Sequence, residues 1–391
     1  MSVSAKLQPA LKRLYRCLSQ QRSALSDSRD DDYHTRIGAV GGPLAPQLKL
    51  EDVDPLSREI WSFYIRNRQK SYVLRKKRDL LKTVQKVVTK KVDRDSRLFM
   101  SGSSTTGFGH LDCDLDIVTI QPSMRESLRI DSQNSALDFL ENLKFHLTKA
   151  DLIVSHQIIP ALTPLLQVSC RKPFDGFVVD ISASNPIPVR NSHLLYHYGA
   201  WDWRVPPLML CVKHWAKSNL INDASQGSLS SYALELMLIH FLQCGVNPPI
   251  LPSLQIKYPK EFSKDVSLER LSYTPKLLRP IHKRPKTPYS LAQLLSGFLY
   301  YYSYVMDYDS HAISVRFAQL KNKLDFPHIP MDRSYIAVIE PFVGRNVAYA
   351  VHSQEMLDAI KHVFVNSHAE LKNRQRFSDI CRVNRTFSLK Q

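Results

Sequence analysis

The run MSGSSTTGFGHLDCDLDIV, residues 100–118, limits what this chain can become more than any other stretch. Glycine is scarce, 12 in 391 residues, yet Gly102, Gly107 and Gly109 crowd together here. Asp112, Asp114 and Asp116 follow at every second position, and apolar Ile117, Val118 and Ile120 come next. Alternate residues of a strand share a face, so Asp114 and Asp116 are expected side by side, where like charges repel. Such a pattern suits a strand that leaves a tight Gly-Ser turn and presents carboxylates to a cation. A solvated acidic turn is the bland alternative.

The surrounding patterns supply a sheet for that strand. RLFM reads as a short strand entering the turn and DLDIVTI as the strand leaving it. QVSC and GFVVDIS read as further strands, the second with β-branched residues around Asp180. SALDFLENLKFHLTKA has the period of an amphipathic helix, and a basic helical pattern runs from Pro55 to about Val88. From Asn191 the character changes. VPPLMLCVKHWAKSNL, SLSSYALELMLIHFLQ and SLAQLLSGFLYYYSYVMDY read as helices, with Ser228 or Ser230 capping the second and the Pro-rich NPPILPSLQ after it. The expectation is an α+β chain, a mixed catalytic domain followed by a mainly helical one.

Composition narrows the partners. The chain has 53 Lys and Arg against 36 Asp and Glu, a formal +17, which predicts attraction to polyanions, nucleic acid foremost. No apolar run approaches the roughly 20 residues of a bilayer span, so an integral membrane protein is not expected. The six cysteines, Cys17, Cys113, Cys170, Cys211, Cys244 and Cys381, lie far apart without zinc-type spacing, which suits reduced thiols. His193 and His197 are one helical turn apart but lack the acid of an H-E-x-x-H site. The first 26 residues hold no acid but carry Lys6, Lys12, Arg13, Arg16 and Arg22 among Leu7, Leu11, Leu14 and Leu18. A mitochondrial presequence has this form. So does a basic helix that touches RNA or a partner. The polar, Pro/Gly-containing residues 27–50 read as a linker.

The chemistry follows from the oxygens. Asp114 and Asp116, with Asp180 from a neighbouring strand, form an all-oxygen set suited to Mg²⁺, which fills its shell with water and substrate phosphate. Two metals so held activate an attacking hydroxyl and stabilise a leaving pyrophosphate. The SGSS turn offers backbone N–H groups and hydroxyls to phosphate.

G-S, then D-h-D, then a third strand Asp resembles the DNA polymerase β nucleotidyltransferase superfamily. GSSTTGFGHLDCDLDIV is similar to the signature of cytoplasmic poly(A) polymerases and their uridylyltransferase relatives. The similarity continues through VDISASNPIPVRNSHLL, the VKHWAK and LSSYALELM helices, PPILPSLQ, LAQLLSGFLYYYSYVMDYDSHAISVR and IEPFVGRNVAYAVH. It covers roughly residues 55 to 385.

The resemblance implies a polymerase-β-like catalytic domain over 75–190 and a helical, poly(A)-polymerase-associated central domain over 191–391. A helix over 51–74 would join the latter, and 1–50 would be a basic N-terminal segment and linker. It implies that Asp114, Asp116 and Asp180 bind two Mg²⁺, with Mn²⁺ as a substitute, and that Asp180 helps deprotonate the RNA 3′ hydroxyl. Gly102 and Ser103 would hold the triphosphate, and Lys213 and Lys217 would clamp its β- and γ-phosphates. Ser231 would reach phosphate, Tyr232 would stack on the base, Asn191 and Ser192 would meet the ribose, and Asn346 would complete the nucleotide site. The implied activity is template-independent transfer of AMP from ATP to RNA 3′ ends, with terminal uridylyl transfer or a silent RNA-binding homologue as alternatives. The cytoplasm is the implied compartment, with mitochondrion and nucleus as alternatives.

Some positions depart from the family pattern. Cys113 stands where Ser is usual, and Asp112 adds a third acid. In IEPFVGRN, Val343 replaces an acid and Arg345 a small polar residue, so Arg345 is the candidate base-selectivity residue. Uridylyl-transferring members carry a histidine in this loop; here there is none. With no RNA-recognition motif, KH repeat or zinc finger in the sequence, a separate RNA-binding protein is expected to choose targets.

Overall fold

The structure, a computed structural model, describes residues 54–121, 131–160, 163–183, 185–272, 289–330 and 334–381. The basic segment expected over 1–50 lies outside them. The continuous helical pattern expected from Pro55 to Val88 forms two helices, α1 (Pro55–Asn67) and α2 (Ser71–Val87). The break has a tertiary cause. Gln69 N–H donates to Gly109 O (2.8 Å) and Asn67 O accepts from Leu111 N–H (2.7 Å), so this backbone serves the glycine loop instead of a helical ladder. Helix α2 buries Val73, Leu74, Lys77, Leu80 and Val84 on one face and continues as a π turn over Val88–Val92.

The chain forms two compact units. One comprises residues 67–197 and 262–278 and contains a five-stranded sheet. Its strands are β1 (Arg97–Ser101), β2 (Leu115–Ile120), β3 (Ile153–Ile159), β4 (Leu165–Cys170) and β5 (Val178–Ala183), in the order β1-β2-β5-β4-β3. The β2–β5 pair is parallel and the other pairs are antiparallel. Between β2 and β3 lies α3 (Asp131–Lys149), whose Ala136, Phe139, Leu140, Leu143 and Leu147 recur at the helical period and are buried. Phe99, Val118 and Ile120 form a second apolar cluster with Val189, Leu268 and Leu271. The Arg190 guanidinium holds the 262–272 segment there by donating to Val266 O (2.7 Å) and Ser263 O (3.4 Å).

The division between the units falls within α4 (Ile187–Trp201). The other unit, whose described residues fall within 54–66, 198–261 and 289–381, is built on α5 (Val205–Ser218), α6 (Ser231–Cys244), α7 (Leu291–Tyr300) and α8 (Gln354–Arg374). Every residue of α6 from Ala233 to Gln243 is buried, as in a helix enclosed on all sides. Ser230, one of the two expected caps, accepts from Ala233 N–H at 3.1 Å. Trp215, Phe298, Tyr302 and Phe364 pack together, edge to face or tilted, and the indole N–H of Trp215 donates to Ser367 Oγ at 2.8 Å. This unit is not purely helical. Strands β6 (His311–Ser314), β7 (Gln319–Asn322) and β8 (Ala337–Ile339) form a small sheet in the order β7-β6-β8. Among the described residues no helix is long and apolar enough to cross a membrane.

Candidate active site

The five-stranded unit gathers one group of the expected residues. Asp116 and Asp180 are direct partners in the parallel β2–β5 register, and Ser101 at the end of β1 faces Asp116 from the other side. Neighbouring strands lie roughly 4.8 Å apart, which brings the two carboxylates together. Asp180 accepts from Gln167 Nε2 on β4 (2.9 Å), which orients its carboxylate.

Asp114 departs from expectation. It lies one residue before β2 rather than on it, and its side chain is exposed. Asp112 is not on the strand either: it sits in the preceding turn, where its carboxylate meets His110 Nδ1. Among the described residues no three His, Cys, Asp or Glu side chains form a metal-holding group. The two neighbouring carboxylates of Asp116 and Asp180, all oxygen, nonetheless fit an ion such as Mg²⁺, which draws much of its shell from water and substrate.

The Gly-Ser turn closes against these carboxylates. Gly102 has a φ of +67°, and a Cβ there would lie 1.9 Å from Asp116 Oδ2, so only glycine lets the carboxylate sit against the turn. Ser103 opens a one-turn helix, Ser103–Thr106, in which Thr105 N–H and Oγ1 both bond to Gly102 O. Gly102 N–H donates to Ser192 Oγ (2.8 Å), and Ser192 donates onward to Pro188 O (2.7 Å). The serine hydroxyl expected at the ribose thus anchors α4 to the turn in this structure. Asn191 is buried, and its Oδ1 makes no hydrogen bond.

Beneath this group lies a residue absent from the sequence-based set. Lys77 of α2 is 0 % exposed. Its ammonium donates to Gln69 Oε1 (2.8 Å), Ser104 Oγ (2.8 Å), Cys113 O (2.5 Å) and Asp114 O (3.2 Å), with Cys113 Sγ at 3.3 Å. The signal was present: within the basic run, the helical period puts Lys77 on the face of Val73, Leu80 and Val84.

The helical unit holds the other group. Lys213 donates to Glu235 Oε1 at 3.1 Å, while Lys217, one turn on, is exposed. Ser231 Oγ donates to Asn222 Oδ1 (3.1 Å). The ring of Tyr232 is half-buried and its hydroxyl is buried without a hydrogen bond. Burial raises the phenol pKa well above its ordinary value; Glu340 and Glu235 add to the shift and Arg345 opposes it. Arg345 therefore lies close enough to Tyr232 for its charge to be felt. Asn346 is spent on the fold. Its Oδ1 accepts from Val338 and Ala348 N–H and its Nδ2 donates to Ile336 O, tying β8 to the loop. Glu340, also missed in the sequence, shapes this loop by accepting from Phe342 N–H (2.9 Å) and Val343 N–H (2.5 Å). A histidine does reach the loop, from outside it: His328 Nε2 lies 2.9 Å from Gly344 O.

The remaining titratable candidates are structural in placement. His193 and His197 stack 4.6 Å apart and pack on Phe262. The five described cysteines are free thiols, Cys170 and Cys211 buried.

Residues 56–200 match the family model for the central palm domain of mitochondrial-like poly(A) RNA polymerase, and residues 290–346 match that of the Cid1 family poly A polymerase. Poly(A) RNA polymerase GLD2 of Homo sapiens is 35 % identical over 336 residues, which cover 84 % of this chain and 67 % of the relative. Poly(A) RNA polymerase gld-2 of Caenorhabditis elegans is 32 % identical over 375 residues, covering 83 % of this chain but 33 % of that longer protein. The structure of a GLD-2/RNP-8 complex matches with a TM-score of 0.73 at 33 % identity, covering 83 % of this chain and 97 % of that one. A Cid1 poly(U) polymerase with MgGTP bound matches at 0.69 and 23 % identity over 84 % and 98 % of the two chains, a likeness of fold.

Proposed function

The chain belongs to the GLD2 family of poly(A) RNA polymerases, and from that premise we propose that it transfers AMP from ATP to RNA 3′ ends without a template, releasing pyrophosphate. The observation that carries this reading is the direct register of Asp116 with Asp180 against the Gly102 turn. Asp114, Asp116 and Asp180 would hold two Mg²⁺, and Mn²⁺ would serve in their place. When bound, the metal supplies positive charge to the reacting phosphate and lowers the pKa of the attacking hydroxyl.

The chain's own groups do the rest. Asp180, whose carboxylate is oriented by Gln167, would take the proton of an RNA 3′ hydroxyl. Gly102 and Ser103 of the Gly-Ser turn would hold the triphosphate. On the helical unit, the family resemblance would give the exposed Lys217, and Lys213 beside Glu235, to the β- and γ-phosphates of a nucleotide. The open Oδ1 of Asn191 is the ribose acceptor.

Base choice rests on Tyr232 and Arg345. A half-buried phenol ring offers a stacking face, and adenine gains most from stacking. The loop lacks a histidine side chain aimed outward, since His328 engages the loop's backbone. The Arg345 guanidinium can also donate to uracil O4 or guanine O6 and N7, so discrimination against UTP and GTP is looser than where a small polar residue stands. GLD-2 forms a complex with RNP-8 in the matching structure. By analogy, a separate RNA-binding protein would bring targets to this chain.

Extension of an oligo(A) primer with ATP, UTP, GTP and CTP in parallel tests the reading. ATP is expected to be used best, and Asp116→Ala to abolish addition with all four while the circular dichroism spectrum is kept. Better use of UTP or GTP would overturn the adenylyl assignment. Extension by the Asp116 variant at near the native rate would overturn the site.

A further inference from the structure

A fully buried ammonium is expensive to place, since it exchanges water for whatever acceptors the fold can offer. The acceptors of Lys77 come from three separate segments: the α1–α2 link (Gln69), the turn of the Gly-Ser helix (Ser104) and the entry to β2 (Cys113 and Asp114 carbonyls). Every one of these acceptors is uncharged. Their directions are determined. Ser104 Oγ has a single proton, which goes to Asp114 O at 2.9 Å, so it accepts from Lys77. Gln69 Nε2 donates to Ser104 O at 3.1 Å, which leaves its Oε1 for the ammonium. One nitrogen thus ties the phosphate turn to the backbone of Asp114, and the carbonyls that it holds flank the exposed Asp114 side chain.

We propose that Lys77 is the positioning residue of the carboxylate site: by fixing the Gly-Ser turn against the Cys113–Asp114 backbone, it sets the affinity of the site for a divalent cation. This rests on the reading of Asp114 and Asp116 as cation ligands. Lys77 itself touches neither substrate nor metal. It acts through the loop, as outer-shell partners of metal ligands do.

The test uses the full chain without nucleotide or RNA, and follows Mn²⁺ by the electron paramagnetic resonance of the free ion. Lys77→Met is expected to weaken Mn²⁺ binding by about 10- to 100-fold, and to raise the Mn²⁺ concentration giving half-maximal kcat more than it raises KM for ATP. Ser104→Ala removes one link and is expected to act in the same direction by a smaller factor. Native Mn²⁺ affinity in a folded Lys77→Met chain overturns the proposal. If that variant does not fold, native affinity in Ser104→Ala overturns it and weakened affinity supports it. Failure of the wild-type chain to bind Mn²⁺ would instead remove the carboxylate reading, and this proposal with it.

Discussion

A methyl group added to Gly102 would meet Asp116 Oδ2 at 1.9 Å, on a backbone whose φ of +67° disfavours any side chain. Either the turn or the carboxylate must move. A displacement of about 1 Å at a reacting centre costs on the order of 100-fold in rate. Gly102→Ala is therefore expected to lower nucleotide addition by at least that factor, with a loss of stability of about 1–3 kcal/mol from backbone strain; single-turnover kinetics and a denaturant melt measure the two. At this scale the sequence showed a good deal. Asp116, its strand partner Asp180 and the glycine turn carry their spacing openly, while Asp114 falls one residue short of the strand on which its spacing put it. Gln167 did not stand out, because a hydrogen bond across strands leaves no periodic mark; Lys77 lies on the apolar period of its helix, but the surrounding basic run masked it.

Elements were legible where pattern and length cooperate. Strands β4 and β5 alternate over six residues, long enough for a period of two to show, while β1 and β2 are buried almost throughout and read as short apolar runs beside the Gly-Ser turn. Strand β3 is an edge strand, exposed from Val154 to Gln157, and β6 to β8 have three or four residues. None of these has a period to read. The break between α1 and α2 is set by a distant glycine loop and carries no proline or glycine of its own. Helix α4 makes a different kind of commitment. Burial lowers the pKa of His193 to about 4, with help from Arg190, and that of His197 to about 3, with help from His193. Unfolded, both histidines titrate near 6.5, so between that value and the folded values the unfolded chain binds more protons. Stability should fall as pH drops below about 6.5, by up to about 1.4 kcal/mol per pH unit for each histidine. Urea melts between pH 7 and 5 should show a shallower decline in a His193→Gln, His197→Gln variant; equal slopes would contradict the assignment.

For the whole molecule, the excess of 53 basic over 36 acidic residues sets how RNA is held. Binding of single-stranded RNA should weaken with salt, log K falling by about 0.7 for each phosphate contact per tenfold rise in concentration. Anisotropy of a labelled oligo(A) across a KCl series reads the slope, and a flat line would show that base contacts dominate. The helical character of the second half was plain in the sequence, but its assembly from three separated segments was not, because contacts between remote residues have no local signature. One such contact joins Glu59 of α1, whose carboxylate accepts from Phe377 N–H (2.7 Å) and Ser378 N–H (3.0 Å), 318 positions later for the first of them. Phe63 packs on the ring of Phe377 at 5.3 Å. On a ribosome adding roughly 5–20 residues per second, α1 emerges about 15–60 s before the residues that secure it. During that interval the nascent chain must shelter Leu56, Ile60 and Tyr64, which the finished protein buries. The first described helix to be made thus gains partners at Trp203 and Cys211 midway through synthesis, but its contacts are complete only when Phe377 and Ser378 arrive.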